Sequence, residues 1–350
     1  MRGSKKVSVI IPCYNCEKYL ERCFESLKNQ SIGMNNMELI FVNDASQDST
    51  LSILQKFELK FPDDIIVINL ENNCGPGIAR NIALEYCSAE YIGFVDSDDV
   101  VDKDMFLTLF DAIKENDCDI VECDWDHFSD DSMGYTPSAF EIDEKNLCDF
   151  CDDTIKTRYL IKQLFFTSVW NKIFKRTFIV DNKLQFAAGK KYEDMYFCYL
   201  AILHARKYYH VSKTLYHYYL NSEGTVQQRK SLHQFDMMDV AIDFLQETKA
   251  RGLYTNYKDI IEWMFLEKYY VYMIWDVWDS FNDTAYMYYT EVKAVVQKLV
   301  PDYRENPYRK MEYNKMDNLL LKLLDYPLGE DDFNSFMRKI WEQQNGEKSK

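Results

Sequence analysis

The chain has 350 residues, 47% apolar and 28% charged, with acidic residues outnumbering basic ones 57 to 41 for a formal net charge of −16. That composition supports a packed core and excludes wholesale disorder. The acidic excess argues against a general nucleic-acid binder, which needs clustered Lys and Arg, and against electrostatic attachment of the whole molecule to an anionic lipid surface.

Residues 7–11 are a β-branched run interrupted only by Ser8, expected as a strand buried on both faces. No apolar leader precedes it, so the chain reads as cytoplasmic. Asn15 is placed to cap a helix with the stripe Tyr19, Leu20, Cys23, Phe24 and Leu27. A strand over 38–42 ends in the turn-rich run 43–49, and a helix carrying Leu51, Leu54 and Phe57 leads to a strand over 65–69. The polar loop 72–77 opens a helix with Pro76 or Gly77 in its first turn. Strands over 91–95 and 119–123, with a helix from near Asp102 between them, complete a βαβ series. The pattern predicts an α/β fold whose mostly parallel, twisted sheet is flanked by helices.

From 129 to 153, around Gly134 and Pro137, the periodicity weakens, as in a surface excursion or hairpin. Mixed structure follows over 157–210, then a short aromatic strand over 214–219. Beyond Ser231 the chain is helical: 232–251, 257–279 with the stripe Trp263, Leu266, Tyr270, Met273 and Val277, then 285–300, 315–324 and 330–344, with a frayed end from 345. The expected division is 1–225, with a nucleotide-binding half over 5–125 and an acceptor half over 126–225, and a helical subdomain over 226–350. Glu267, Lys268, Asp276 and Asp279 interrupt the most apolar late segment, so no bilayer span is expected. The dense aromatics of 208–219 and 263–289 read first as core. A homodimer contact or a peripheral membrane surface facing a lipid-linked acceptor are the alternatives.

Ten cysteines are scattered without a short-loop framework. Cys13 and Cys16 resemble half of a zinc site, but no second pair or nearby His completes it, and ordinary thiols in a reducing compartment are expected. His204, His210, His217 and His233 lack metal spacing and read as packed or hydrogen-bonded.

The polar clusters 12–15, 43–44, 72–73 and 96–99 all follow strands, and ligands of such sheets bind outside the strands' carboxyl ends. Asp96 and Asp98 flank Ser97, so an extended segment points both carboxylates the same way. With Asp99 they suit Mg²⁺ or Mn²⁺ completed by phosphate, or else an Asp-rich turn capping the next helix. Arg80, one turn into its helix, could reach a phosphate or base, or a neighbouring carboxylate. Asp44 could accept from a base or ribose, or close an Asx turn. Tyr14 could pack on a flat base, or be a rim aromatic.

The segments VSVIIPCYN from Val7, VNDASQD from Val42, NCGPGIARN from Asn73 and FVDSDD from Phe94, followed by Val169-Trp170-Asn171-Lys172 and Tyr192-Glu193-Asp194-Met195-Tyr196-Phe197, resemble the family-two glycosyltransferases of GT-A fold. The likeness covers about residues 5 to 220 and is to bacterial enzymes that build capsule, O-antigen or exopolysaccharide. It implies that Pro12, Tyr14, Asp44, Arg80, Asp96, Ser97 and Asp98 bind a nucleotide sugar. Asp98, helped by Asp96, would hold a divalent cation, Mn or Mg. Asp194, with Glu193 beside it, would be the general base, and Trp170 and Lys172 would lie near the donor sugar or acceptor. Asn43 departs from the Asp of many relatives, and Cys13 and Cys16 stand where small polar residues are common.

The chemistry is consistent with that likeness. A departing nucleoside diphosphate gains charge that a cation must offset, and an attacking hydroxyl needs a carboxylate within hydrogen-bond reach. The function expected is inverting transfer from a UDP-sugar to a hydroxyl of a glycan or lipid-linked acceptor in surface polysaccharide synthesis. The rivals are a sugar-phosphate nucleotidyltransferase, disfavoured by the lack of a Gly-rich loop with Lys at the first strand, and a non-catalytic nucleotide-sugar-binding assembly subunit.

Overall fold

A computed structural model describes residues 5–130, 136–137, 146–220, 232–281, 285–310 and 315–347. The chain forms two compact units, Met1–Gln227 and Gln228–Lys350.

In the first unit the order is β1 (Val7–Cys13), α1 (Leu20–Lys28), β2 (Met37–Asn43), α2 (Thr50–Lys60), β3 (Ile65–Asn69), α3 (Pro76–Leu84), β4 (Tyr91–Phe94), β5 (Val100–Val101), α4 (Met105–Asn116), β6 (Ile120–Phe128), β7 (Thr136–Pro137), β8 (Leu147–Asp149), α5 (Asp153–Lys162), β9 (Lys172–Lys175), α6 (Arg176–Asp181), α7 (Glu193–His204) and β10 (Lys207–Tyr219). The sheet runs β3-β2-β1-β4-β9-β6-β10-β5. Strands β3, β2, β1 and β4 are parallel neighbours, as is the pair β6 and β10, while β9 joins β4 to β6 by antiparallel pairing.

The β-branched runs form central strands because both sheet faces are covered. Val7, Val9 and Ile11 share one cluster with Leu39, Phe41 and the α1–α2 residues Leu20, Phe24, Leu54 and Phe57. The Phe24 and Phe57 rings stack at 4.0 Å. A second aromatic group joins Phe94 to Phe174, Phe186 and Phe197, the last two stacked at 4.3 Å. Strand β4 is thereby packed against the later chain.

Several expectations change. Asn15 does not cap α1: the N-cap is Tyr19, without a side-chain bond, and the Asn15 Oδ1 instead accepts the Gln47 N–H at 2.8 Å. Helix α4 starts at Met105 rather than near Asp102, whose carboxylate accepts the Asp104 N–H. The strand expected over 119–123 runs to Phe128, and that over 214–219 begins at Lys207, because each is the other's parallel partner along its length. Part of the excursion, including Gly134, lies outside the described residues; Thr136–Pro137 pairs antiparallel with β6, the hairpin alternative in part.

The second unit is helical: α8 (Asp236–Ala250), α9 (Leu253–Phe265), a π-helical segment Leu266–Tyr272, α10 (Met273–Ser280), α11 (Ala285–Leu299), α12 (Lys315–Asp325) and α13 (Glu330–Glu347). Helix α13 continues past the expected end near Gln344. The stripe Trp263, Leu266, Tyr270, Met273 and Val277 is buried throughout. The buried tyrosines find partners: Tyr270, Tyr289 and Tyr303 donate their hydroxyls to the Leu320, Leu323 and Leu324 carbonyls of α12. These aromatics are core. Among the described residues no helix is long and apolar enough to cross a membrane.

Candidate active site

The parallel order β3-β2-β1-β4 brings four strand ends to one edge, and backbone and side chains lace the loops there. The Asp44 N–H donates to the Cys13 carbonyl at 2.8 Å. Cys16 N–H donates to Thr50 Oγ1 at 2.9 Å, and Glu17 N–H to Asp48 Oδ2 at 3.1 Å. The Asp44 carboxylate accepts the Cys74 and Gly75 N–H groups at 2.7 and 2.8 Å. It therefore fixes the loop that opens α3, with Gly75 as N-cap and Pro76 in the first turn. Tyr14 is half exposed at this edge and Pro12 is partly buried. Asn15 and Ala45, the residues beyond β1 and β2, hold the left-handed backbone conformation at φ 48° and 56°. Strain of this kind in non-glycine residues concentrates at binding loops.

Arg80 is buried, and its guanidinium unites two distant parts of the chain. One Nη donates to Asp96 Oδ1 at 2.7 Å, and the other to Glu193 Oε1 at 2.6 Å and Asp194 Oδ1 at 2.9 Å. Of the two destinations open for Arg80 in the sequence, it takes the carboxylates. Charge-assisted bonds of this length are the strong ones, and the three acceptors raise the Arg80 pKa against its own burial. The guanidinium also lies 5.4 Å from the Phe186 ring centroid.

Glu193 and Asp194 open α7, where the helix dipole favours acidic residues, and Tyr192 before them has φ 65°. Two devices hold this start against α3. A Cβ on Gly77 would sit 2.7 Å from the Ala187 carbonyl oxygen and 3.0 Å from Glu193 Cγ, so only glycine allows the approach. Asn81 exchanges hydrogen bonds with the Phe186 backbone at 2.9 and 2.8 Å. Burial, opposed by Arg80 but reinforced by Glu193 and Asp96, raises the Asp194 carboxyl to about 7. A carboxyl tuned near neutrality suits proton abstraction from a hydroxyl.

The acidic run divides by burial. Asp96 is partly exposed and gives one oxygen to Arg80. Asp98 is partly exposed, and its carbonyl accepts from Arg22 at 2.8 Å. The Arg22 guanidinium lies 4.4 Å from the Tyr219 ring centroid and 4.9 Å from that of Phe128. Ser97 is buried. Asp99 is fully buried and accepts from the Tyr216 hydroxyl and the Tyr219 N–H, so it anchors β10, and burial pushes its carboxyl well up. Among the described residues no group of three His, Cys, Asp or Glu side chains forms a ready metal cage. The donor set still fits a hard cation: Mg²⁺-type ions take one or two carboxylates and complete their shell from phosphate and water. Three carboxylates, Asp96, Glu193 and Asp194, bond to one guanidinium, a negative surplus that a divalent ion would offset.

Trp170 and Lys172, expected near the donor sugar or acceptor, are buried. Trp170 stacks on Tyr216 at 4.3 Å, and Tyr216 accepts the Asp96 N–H, so the indole acts beneath the acidic loop. Lys172 pairs with the fully buried Glu122 at 2.7 Å and donates to the Ser168 carbonyl. The sequence offers Gly77 only as a helix-start residue, and it gives Arg22, Asn81 and Tyr216 no role at the site. Gly77 and Asn81 lie in the NCGPGIARN segment, whereas Arg22 and Tyr216 carry no local signal. His210 and His217 bond Asp124 and Asp126 at 3.0 and 2.6 Å, and all ten cysteines are free thiols.

The family model described as glycosyl transferase family 2 matches residues 8–179. A poly(ribitol-phosphate) β-glucosyltransferase of Bacillus spizizenii is 29% identical over 266 residues, 76% of this chain but 40% of that protein's length. The Bacillus subtilis protein named putative glycosyltransferase EpsH is 32% identical over 260 residues, covering 72% of this chain and 70% of that one. In fold, the chain is similar to residues 1–349 of Staphylococcus aureus TarS crystallised with UDP-GlcNAc. The TM-score is 0.67 and the identity 22%, over 97% of this chain and 92% of that one. With the motifs in register and the EpsH match spanning most of both proteins, the chain belongs to glycosyl transferase family 2.

Proposed function

We propose that this chain transfers a sugar from a nucleotide diphosphate, UDP above all, to a hydroxyl of a glycan or lipid-linked acceptor in surface polysaccharide synthesis, inverting the anomeric configuration. The observation that carries the reading is Arg80, which bonds at once to Asp96 on the acidic loop and to the Glu193–Asp194 pair. Leaving-group binding and proton removal are thereby coupled through one buried cation. The UDP-GlcNAc in the TarS crystal and the polymer-building names of the relatives support the donor and acceptor classes. Free thiols throughout fit a reducing compartment.

In this reading Tyr14 packs on the base. Asp44 has lone pairs left after holding Cys74 and Gly75, and these accept from the base's ring N–H. Asp98 and Asp96 would hold a divalent cation, which when bound would offset charge on the diphosphate. The acceptor oxygen attacks the anomeric carbon from the face opposite the diphosphate, and its proton passes to Asp194. The bond to the diphosphate breaks with its electron pair on the leaving oxygen. One displacement inverts the centre and needs no enzyme nucleophile.

Asp194→Asn tests the assignment. Transfer should fall by about 10²- to 10⁴-fold, the usual worth of a general base, while donor binding measured by thermal shift with Mn²⁺ persists. Unchanged transfer removes Asp194 from the base role; binding without metal-stimulated turnover in the unmutated chain favours the assembly-subunit alternative.

A further inference from the structure

We infer that the C-terminal helical unit carries a binding cavity for a neutral saccharide, separate from the residues assigned to nucleotide chemistry. A cavity of about 590 Å³ opens among α10, α11 and α13, lined by Trp278, Asp279, Tyr286, Glu330, Arg338 and Trp341 among others. Its size falls in the range of small-molecule sites, about 300–1,000 Å³. The framework beneath it is packed: Phe333 of α13 is fully buried and meets the Trp278, Tyr286 and Tyr289 rings at 6.3, 5.8 and 4.7 Å.

The lining combines two chemistries that a sugar needs together. A pyranose has an apolar face of C–H bonds that packs on an aromatic ring, and an edge of hydroxyls that bond to carboxylate, amide and guanidinium groups. Trp278, Tyr286 and Trp341 offer the rings; Asp279, Glu330 and Arg338 offer the polar edge. Trp341 is the telling residue. Phe333, Met337 and Ile340 take the buried stripe of α13, yet the neighbouring indole stays 42% exposed. Its Nε1 donates to Asp279 Oδ1 at 3.3 Å, which orients the ring at the cavity. Burying an indole is favourable, so one held open at a cavity rim is suited to stacking on a ligand.

Charge selects the class of saccharide. Asp279, Glu330 and Glu342 face one cation, Arg338, in the lining. That local excess of two negative charges repels a phosphate-bearing polymer and admits a neutral one.

The test titrates the full chain with neutral glucose and N-acetylglucosamine hexasaccharides, and with linear polyphosphate as the polyanion. Tryptophan fluorescence and saturation-transfer NMR report binding. A neutral hexasaccharide should bind saturably, Trp341→Ala should weaken it at least tenfold, and Trp341→Phe, which keeps a ring, should weaken it less. UDP-sugar hydrolysis should not change in either variant, so this result is read independently of the proposed transfer. Should Trp341→Ala fold poorly, Trp341→Phe and Arg338→Ala carry the comparison. The inference is overturned if neither hexasaccharide binds saturably, if binding is indifferent to the Trp341 and Arg338 substitutions, or if polyphosphate displaces the sugar from this site.

Discussion

Replacing Arg80 by Gln removes the cation that holds three carboxylates and keeps much of the side chain's volume. Arg80 Nη1 lies 2.9 Å from Asp194 Oδ1. With charge centres about 4 Å apart and an effective dielectric near 20, that attraction is about 4 kcal/mol. At 1.36 kcal/mol per pH unit, losing it moves the Asp194 titration upward by one to three units, roughly, after relaxation. In the wild type, a carboxyl raised to about 7 is about three-quarters ionised at pH 7.5. If the variant's carboxyl titrates near 9, about 3% is ionised and transfer at pH 7.5 falls roughly 25-fold. The sign is fixed: a general base is active when deprotonated, so the acid limb of kcat must move to higher pH. The assay is kcat against pH from 5.5 to 9.5 under saturating donor and metal, with Arg80→Lys as the charge-keeping control. Arg80→Lys should keep the limb closer to the wild type. The reasoning fails if Arg80→Gln keeps its acid limb near pH 7 and loses less than about threefold at pH 7.5.

Two further substitutions probe the framework. Gly77→Ala places a methyl 2.7 Å from a backbone carbonyl that cannot rotate away, so α3 must shift from Glu193. Urea unfolding should show a loss of about 1–3 kcal/mol, and kcat should drop with the misplaced Arg80. Lys172→Met leaves Glu122 buried without its cation and should cost about 3–5 kcal/mol in denaturant unfolding. The double variant Glu122→Gln, Lys172→Met should recover much of that loss; a double variant as unstable as the single one shows that the ion pair is not the cause.

The parallel half of the fold was legible in the sequence because its signals are local. The run at 7–11 is apolar at every position but Ser8 and buried throughout, as a strand covered on both faces must be, and the expected strand over 65–69 coincides with β3. Of the α1 stripe, Leu20, Cys23, Phe24 and Leu27 are buried as the spacing predicts, whereas Tyr19 is the partly buried N-cap and Asn15 serves a neighbouring loop instead of the helix. Ends of elements were less legible where partners decide them. Strand β10 runs from Lys207 because β6 lies beside it, a pairing between segments more than eighty residues apart.

For the site, composition and motif order determined which charged residues stand out: Asp44, Asp96 and Asp98 after strands, Arg80 in helix α3 and the Glu193–Asp194 pair at the start of α7. Only the tertiary structure decided which of those charges neutralise one another. Arg80 meets Glu193 across 113 positions of sequence, Asp99 is diverted into the interior by Tyr216, and Lys172 is consumed by Glu122. The physical reason is that hydrophobic periodicity is written along the chain, whereas the partner of a buried charge is set by three-dimensional proximity under the cost of desolvation.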